Sequence, residues 1–393
     1  MAFAFAGVSG VSVRTRGSVT ASVVAARPGA FAVTPRYGRS LLAAVGSKAP
    51  LQSRRVAVTA APSSLRMAAS PGATSEEAAS AQTLKVSILI GMWYLLNIGY
   101  NITNKRVLNW FPFPWFVSWA QLAFGVVYCV ALWAVKLRKK PVVPAEGVKA
   151  LSLVALCHTI GHVSTVCSLG AVAVSFSHVI KSAEPLFQVA ASAIFLKSVF
   201  ALPVYLSLLP VIGGVVLASV SELSFTWLGF LSAMTSNVAF AARNIFSKLS
   251  MNTPKGENMG PVNLFGVLTV LSTLILAPFA LFFEGAKLKA GWLAATAGVG
   301  AAVTPLTLAG YILASGFFFH TYQEVAFLAL SNVHPITHAV ANTTKRVIIM
   351  GVSILVFKNP LTQNGLIGSS IALLGVLLYS FAKNRYPEKK ATE

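Results

Sequence analysis

Ten stretches of about twenty mostly apolar residues follow one another between residues 86 and 383. About 20 such residues are needed for a helix to cross the hydrocarbon core of a bilayer. We therefore predict an all-α integral membrane protein with ten transmembrane helices. The predicted spans are 86–107, 113–136, 147–171, 174–197, 201–220, 225–248, 260–283, 293–319, 334–357 and 361–383. Charged residues make up only 10% of the chain, which also indicates that lipid is its main solvent.

The first 75 residues differ in composition from the rest. They contain eight Arg, one Lys and no acidic residue, and they are rich in Ala and Ser. A basic, Ser-rich and acid-poor leader is typical of an organelle transit peptide. We predict that residues 1–80 are a disordered transit peptide. A basic tail that is never removed is the alternative.

Residues that most enzymes and metal sites use are scarce. The chain has no Asp, ten Glu and three Cys without paired spacing. These features disfavour a metal centre, a cofactor and a membrane enzyme that acts on phosphorylated lipid or sugar. The formal net charge is +21, but the cations lie in the leader, in loops and inside apolar stretches. Nucleic acid is therefore not an expected partner.

Three pairs of similar segments occur in the same order in the two halves of the chain. Residues 101–105 (NITNK) resemble 244–248 (NIFSK), 177–180 (SHVI) resemble 337–340 (THAV), and 212–219 (IGGVVLAS) resemble 373–380 (LLGVLLYS). They predict two five-helix repeats, 84–222 and 223–385, followed by a polar tail, 386–393. Because five is odd, the second repeat enters the membrane from the opposite side. Inverted repeats of this kind enclose a central substrate cavity in many transporters.

Three cations lie near the middle of predicted spans, Lys181 in the fourth, and Lys345 and Arg346 in the ninth. Each costs about 2.5–3.5 kcal/mol at the centre of a membrane helix unless it is compensated. Glu184, three residues after Lys181, can pair with one of them only. Three cations around one cavity suit a compact multivalent anion such as phosphate, since Lys supplies a point charge and Arg a fork of donors.

Other polar residues in or beside the spans are candidates for the same cavity or for its gates. Each has a structural alternative: a histidine can simply be packed, a tyrosine can anchor the helix at the interface, and a lysine near a helix end can reach the headgroups. The glycines of the fifth and tenth helices are expected to allow close helix approach. These candidates are His162, Thr165, Arg243, Tyr322, Lys248 and Lys105, with Gly213, Gly214 and Gly375 as the glycines.

Residues 173–185 (AVSFSHVIKSAEP) and 335–347 (PITHAVANTTKRV) resemble the signatures of the plastidic phosphate translocators. The resemblance extends over about residues 84–385 and implies the drug/metabolite transporter fold, with ten helices in two inverted repeats. Members exchange inorganic phosphate for phosphorylated metabolites of three, five or six carbons, or for phosphoenolpyruvate. The resemblance thus implies a carrier in the plastid inner envelope and not an enzyme.

By this resemblance, Thr165, Lys181, Lys345 and Arg346 hold the phosphate group. His162, Tyr322 and Arg243 face the organic part, Arg243 and Lys248 can meet a second anionic group, and Lys248 and Lys105 are possible gate residues. Residues 157–162 (CHTIGH) and 111–118 (FPFPWFVS) look like the triose-phosphate branch. Residues 181–185 (KSAEP) look closer to the glucose-6-phosphate branch, and Gln323 stands where the family has Asn.

We therefore expect an antiporter of phosphate and triose phosphate or 3-phosphoglycerate, with a glucose-6-phosphate or phosphoenolpyruvate antiporter as the alternative. The expected partners are these anions and membrane lipid, and the oligomeric state stays open. Loops on the side of the two termini carry more Lys and Arg than those on the other side. The positive-inside rule then places both termini in the stroma.

Overall fold

The computed structural model describes residues 75–250, 256–297, 301–330, 333, 335–360 and 362–390. Nearly all of these residues are helical. The helices are α1 (Ser75–Trp110), α2 (Pro114–Ala134), α3 (Ala145–Ala171), α4 (Val174–Lys181), α5 (Glu184–Leu196), α6 (Leu202–Leu206), α7 (Leu208–Val220), α8 (Trp227–Leu249), α9 (Pro261–Ala280), α10 (Ala286–Thr296), α11 (Pro305–Leu330), α12 (Pro335–Phe357) and α13 (Gln363–Arg385). Two short strands, β1 (Ser198–Val199) and β2 (Lys389–Lys390), pair antiparallel.

Three of the predicted spans are interrupted helices. Residues 182–183 separate α4 from α5, Ser207 separates α6 from α7, and a π-helical turn, Leu281–Gly285, joins α9 to α10. Pro185 lies in the first turn of α5, where a missing backbone N–H is tolerated. If each interrupted pair is counted once, the described residues form ten long helical segments.

Eight of these segments are long and apolar enough to cross a membrane. The other two, α8 and α11, have 23 and 26 residues, which is sufficient length, but they carry more polar side chains. The all-α membrane architecture is therefore confirmed. The count of ten spans stays a prediction, as does the division into two repeats.

The predicted eighth span, 293–319, has the wrong bounds. The structure ends α10 at Thr296 and begins α11 at Pro305, and α11 then continues to Leu330. The apolar Ala/Gly run before Pro305 continues the hydropathy pattern, but proline in the first turn sets where the helix starts. One consequence is that Tyr322 lies inside a helix, whereas the predicted span ended before it.

The predicted transit peptide falls mostly outside the described residues, which begin at residue 75. Residues 75–80, which the sequence placed in the disordered leader, are the first residues of α1. At the other terminus, residues 386–390 of the predicted polar tail include β2, and residues 391–393 lie outside the described part.

The connecting segments gather at two ends of the bundle. At the end that holds β2, β1 pairs with β2, and the backbones of Val142 and Glu257 form hydrogen bonds of 3.2 and 2.9 Å. We call this the C-terminal end, and it collects the segments after α2, α5 and α8. At the far end, Ser224 Oγ accepts a 3.0 Å bond from the amide of Ala173, and Thr362 Oγ1 donates a 3.0 Å bond to the carbonyl of Ser221. This grouping fits helices that cross the bundle in alternating directions.

Helix packing follows a pattern that relates the two halves of the chain. The third segment, α3, packs along the sixth, α8, and the eighth, α11, packs along the first, α1. Let the ten segments be numbered along the chain, with the count returning to one after ten. If five is added to each number, the third and sixth segments become the eighth and first, so the two pairs exchange. The same operation leaves the pairs α2 with α9 and α7 with α13 unchanged. Two related five-helix units would pack in this way.

Glycine brings α7 and α13 into backbone contact. A Cβ atom at Gly214 would overlap the backbone of Gly368 and Ala372, and one at Gly375 would lie 2.7 Å from the Val211 nitrogen. Small residues at such crossings let helix backbones approach closely in a membrane. Gly213, by contrast, faces open space. The expected role in close approach thus applies to Gly214 and Gly375 and not to Gly213.

We expect Gly214→Val to destabilise the protein by about 1–3 kcal/mol, the usual cost of overpacking. Gly213→Val is the matched control, because it changes helix propensity equally but meets no neighbour. The measurement is the unfolding free energy in mixed detergent micelles. Equal destabilisation by both variants would show that the α7–α13 contact is not the tight one described.

Candidate functional site

A central cavity of about 580 Å³ lies among α1, α3, α4, α5, α8, α11, α12 and α13. Cavities of about 300–1,000 Å³ are typical of sites for small organic ligands. Eight of the nine residues predicted for the site line this cavity. They are His162, Thr165, Lys181, Arg243, Lys248, Tyr322, Lys345 and Arg346.

Lys181 belongs to a compact group of hydroxyl side chains. Its Nζ donates to Thr165 Oγ1 at 3.1 Å and to Ser236 Oγ at 2.7 Å, and the two hydroxyls lie 2.7 Å apart. Nζ also lies 4.8 Å from the centre of the Phe240 ring. Sequence reasoning missed Ser236, which is fully buried. Its spacing of seven residues from Arg243 on one helix face was the available signal.

The interruption between α4 and α5 places Lys181 at the last position of a short helix. The carbonyl groups at a helix C-terminus carry partial negative charge, which stabilises a cation there. Glu184, which the sequence allowed to pair with one of the three cations, begins the next helix and pairs with Arg346.

Arg346 and Lys345 approach the cavity from α12. Arg346 Nη2 lies 2.8 Å from Glu184 Oε2, whereas its Nη1 is buried without a partner in the described part of the chain. Lys345 Nζ lies 4.4 Å from the centre of the Trp93 ring, a cation–π contact. Glu184 therefore fixes one arm of the Arg346 fork and leaves the other for a ligand.

An aromatic wall faces these cations. The His162 ring lies 4.1 Å from the Phe319 ring, and the Tyr322 ring lies 5.3 Å from Tyr100 and 5.8 Å from Phe319. His162 Nε2 is buried and has no hydrogen-bond partner among the described residues. This wall can thus contact the carbon skeleton of a ligand, and it also carries polar atoms, His162 Nε2 and the Tyr322 hydroxyl among them.

Arg243 is held by neighbours that sequence reasoning did not assign. Its Nη1 lies 3.2 Å from His158 Nδ1, its Nη2 donates to Asn244 Oδ1 at 3.2 Å, and its guanidinium lies 4.7 Å from the Phe240 ring centre. His158 precedes His162 by one helical turn, and the two rings are nearly parallel. That i,i+4 spacing was the signal for a shared face.

The two predicted gate residues lie at opposite ends. Lys248 Nζ lies 3.1 Å from Glu388 Oε1 at the C-terminal end, and both side chains are substantially exposed. Lys105 is outside the cavity lining. Its Nζ donates to the carbonyls of Leu169 and Val172 at 2.8 and 2.9 Å, which satisfies free carbonyls at the end of α3. The gate role of both lysines stays a prediction.

The cavity extends toward the C-terminal end of the bundle. From α8 and α11 it is lined only by residues of their second halves, and it reaches Lys248, Phe327 and Lys383. At the far end, Arg106 Nη1 donates to Tyr311 Oη at 2.8 Å, and Tyr311 packs edge-on against Trp110. The lining therefore places the cavity in the half of the bundle nearer the C-terminal end, and none of these three far-end residues lines it.

Charge sets what this cavity can hold. Six cations line it, Lys181, Arg243, Lys248, Lys345, Arg346 and Lys383, and Glu184 is the one carboxylate among the described lining residues. Cations that lie away from water are stabilised when they are paired. The surplus of positive charge therefore favours an anionic ligand. Among the described residues there is no cluster of three or more metal-ligating side chains.

A helical membrane bundle with a cationic central cavity has the features of a membrane carrier for small anions. Residues 84–380 match the Triose-phosphate Transporter family, and the chain belongs to that family.

Curated relatives align over most of the chain. The Glucose-6-phosphate/phosphate translocator 2 of Arabidopsis thaliana is 42% identical over 77% of this chain and 76% of its own length. The triose phosphate/phosphate translocator of Flaveria trinervia is 44% identical over 76% of this chain and 72% of its own length. The triose phosphate/phosphate translocator of Pisum sativum is 43% identical over 76% of this chain and 72% of its own length. Identity to the two kinds of translocator is thus nearly the same.

We expect Glu184→Gln to lower stability by about 1–3 kcal/mol in the absence of phosphate, because Arg346 then keeps a buried charge without its carboxylate. The value is below that for a fully buried pair, since the Glu184 side chain is 27% exposed. Glu388→Gln, which breaks the exposed pair with Lys248, should change stability by less than about 1 kcal/mol. The free energy of unfolding of both variants is measured in mixed micelles. Equal losses of stability in the two variants would contradict a structural Arg346–Glu184 pair.

Proposed function

We propose that this protein is an antiporter that exchanges inorganic phosphate for triose phosphate or 3-phosphoglycerate across the plastid inner envelope. The observation that carries the proposal is the meeting of Lys181, Lys345 and Arg346, from two distant parts of the chain, around one cavity. The names of the relatives, which are chloroplastic phosphate translocators, support it. The protein acts as a carrier and not as an enzyme, so no bond is made or broken.

The phosphate group binds between α4 and α12 in this proposal. Lys181 and Lys345 supply two point charges, and the open arm of Arg346 donates to a phosphate oxygen. Thr165 lies beside Lys181, and its hydroxyl, which bonds the Gly161 carbonyl at 2.7 Å, would turn from that carbonyl to donate to the phosphate. Charge-assisted bonds of this kind are about twice as strong as neutral ones.

The organic part of the substrate lies against the aromatic wall. His162 and Tyr322 contact the three-carbon skeleton, and Arg243, held by His158 and Asn244, receives a second anionic group. The carboxylate of 3-phosphoglycerate is such a group. This division explains why a dianionic phosphate alone and a larger phosphorylated acid both fit one cavity.

Exchange is obligatory in this proposal because of the charge of the empty cavity. An occluded state would hold several unpaired cations in a medium of low dielectric constant. A bound phosphate offsets most of that charge and so favours the occluded state over the open one. Two inverted repeats, 84–222 and 223–385, would supply the two halves that move against each other.

A second candidate, exchange of glucose 6-phosphate or phosphoenolpyruvate for phosphate, is favoured by one specific observation. The chain is 42% identical to a glucose-6-phosphate/phosphate translocator, close to its identity to the triose-phosphate translocators. Size and charge of the organic group separate these candidates, and transport measurements test them directly.

We expect purified protein, without residues 1–80, to take up labelled phosphate into liposomes loaded with phosphate, 3-phosphoglycerate or dihydroxyacetone phosphate. Liposomes that contain no substrate should show uptake at least about tenfold slower, since an empty cavity closes poorly. Equal uptake into empty and loaded liposomes would contradict obligatory exchange. No uptake under any condition would contradict the proposed function.

Two Lys→Gln variants provide a test of the phosphate site and its matched control. Lys345→Gln removes a cavity charge and should lower exchange about 30-fold or more while the protein still folds, because one buried charge partner of the phosphate is lost. Lys289→Gln removes an exposed charge in α10 and should leave the rate unchanged. Lost folding of Lys345→Gln, measured by gel filtration and thermal unfolding, would assign that lysine to structure.

Both termini face the stroma in our proposal. The segments at the C-terminal end of the bundle include Lys139, Lys140, Lys197 and the two lysines of β2, which is the excess that the positive-inside rule requires. A protease added to intact inner-envelope vesicles of native orientation should therefore spare an epitope at the C-terminus. The same protease should remove it from inverted vesicles, and the opposite pattern would reverse the orientation.

A further inference from the structure

A second cavity of about 460 Å³ lies beside the central one, between the α4–α5 junction, α12 and α13. Its walls differ in chemistry from those of the central cavity. Amide and hydroxyl side chains predominate, from Gln188, Asn244, Asn342, Tyr379, Ser380 and Asn384. We call it the amide cavity. No role for it follows from the phosphate site described above.

The amide cavity continues directly from the phosphate-binding cations. Six residues line both cavities: Glu184, Gln188, Asn244, Asn342, Arg346 and Lys383. Arg346 and Asn342 are neighbours on one face of α12, four residues apart. A molecule whose phosphate lies at Arg346 can therefore extend either toward the aromatic wall or into the amide cavity.

Two buried polar atoms at this boundary have no hydrogen-bond partner within the described residues. They are Arg346 Nη1 and Tyr379 Oη, on side chains of residues that are 8% and 7% exposed. A buried polar group without a partner is destabilising by about 1–3 kcal/mol. A ligand that supplies these partners would remove that penalty.

The remaining side chains divide into engaged and available groups. Asn244 donates to Gln188 at 3.1 Å and accepts from Arg243, so this pair is engaged. Lys383 Nζ lies over the rings of Phe200 and Tyr379, at 5.6 and 5.7 Å.

Asn342 and Asn384 line the amide cavity. Their amide groups can each offer donors and an acceptor to a ligand.

Adjacent groups that both donate and accept match the hydroxyl groups of a polyol. A hydroxyl group itself donates one hydrogen bond and accepts two, and a buried one needs such partners. A carboxylate would instead seek a cation. Arg243 offers one on the aromatic side of the central cavity. In the amide cavity, by contrast, Arg346 is paired with Glu184 and Lys383 lies over two rings. The two compartments therefore suit different organic groups on one phosphate.

We propose that the amide cavity is a subsite for the hydroxyl-bearing carbons of a sugar phosphate with five or six carbons, whose phosphate lies at Lys181, Lys345 and Arg346. This inference rests on the proposed phosphate exchange and widens its substrate class. Tyr379 and Asn342 are the residues that distinguish these longer sugars from three-carbon substrates.

The test compares inhibition of phosphate uptake by glucose 6-phosphate, ribose 5-phosphate and 3-phosphoglycerate in phosphate-loaded liposomes. For Tyr379→Phe and for Asn342→Leu, the ratio of half-inhibitory concentrations of each sugar phosphate to 3-phosphoglycerate should rise about three- to tenfold, as for one lost hydrogen bond. Tyr205→Phe is the matched control. It removes the same hydroxyl from a tyrosine that lines neither cavity, and the ratio should not change.

Each result decides one of the two proposals. If phosphate exchanges with 3-phosphoglycerate but the unaltered protein is not inhibited by either sugar phosphate, the subsite inference is wrong and the proposed function stands. An unchanged ratio in both variants would also overturn the subsite. If no phosphate exchange occurs at all, the proposed function fails. Thermal stabilisation of the unaltered protein, and not of Tyr379→Phe, by glucose 6-phosphate would then test the subsite alone.

Discussion

Buried positive charge is the constraint on which the rest of this structure depends. Lys181, Lys345 and Arg346 would each cost several kcal/mol in a membrane helix without compensation. The structure compensates them unequally: Lys181 has two hydroxyl partners, Lys345 a ring face, and Arg346 one carboxylate. Of these partners, only the Glu184 carboxylate carries a full negative charge. The cavity is thus stable enough to form, yet it keeps a surplus of positive charge that only a ligand can neutralise.

The broken helix at residues 182–183 shows how backbone and charge depend on each other. Glu184 begins the helix after this break, where it pairs with Arg346 of α12 and also attracts Lys181. Pro185 reinforces the break, because it removes a backbone donor in the first turn of α5.

Apolar stretches of about twenty residues were sufficient to predict the membrane class, and charges inside them, with the resemblance of two segments, predicted eight cavity residues. Sequence could not predict pairings that depend on where a helix stops, such as Glu184 with Arg346, or contacts between distant helices, such as Ser236 with Lys181. Lys105 shows a related limit of sequence reasoning. A lysine near a helix end looks alike in sequence whether it lines a cavity or satisfies the carbonyls at the end of α3.

The two ends of the bundle are held by contacts of different kinds, which bears on how exchange proceeds. At the far end, Lys105 and Arg106 bond neutral acceptors, the carbonyls at the end of α3 and the Tyr311 hydroxyl. At the C-terminal end, Lys248 meets Glu388 in an exposed pair, whose contribution is typically under about 1 kcal/mol, and Arg138 pairs with Glu324 of α11 in a largely buried one. In the proposed exchange, a bound anion lowers the charge of the cavity between these ends, which favours the occluded state over the open one.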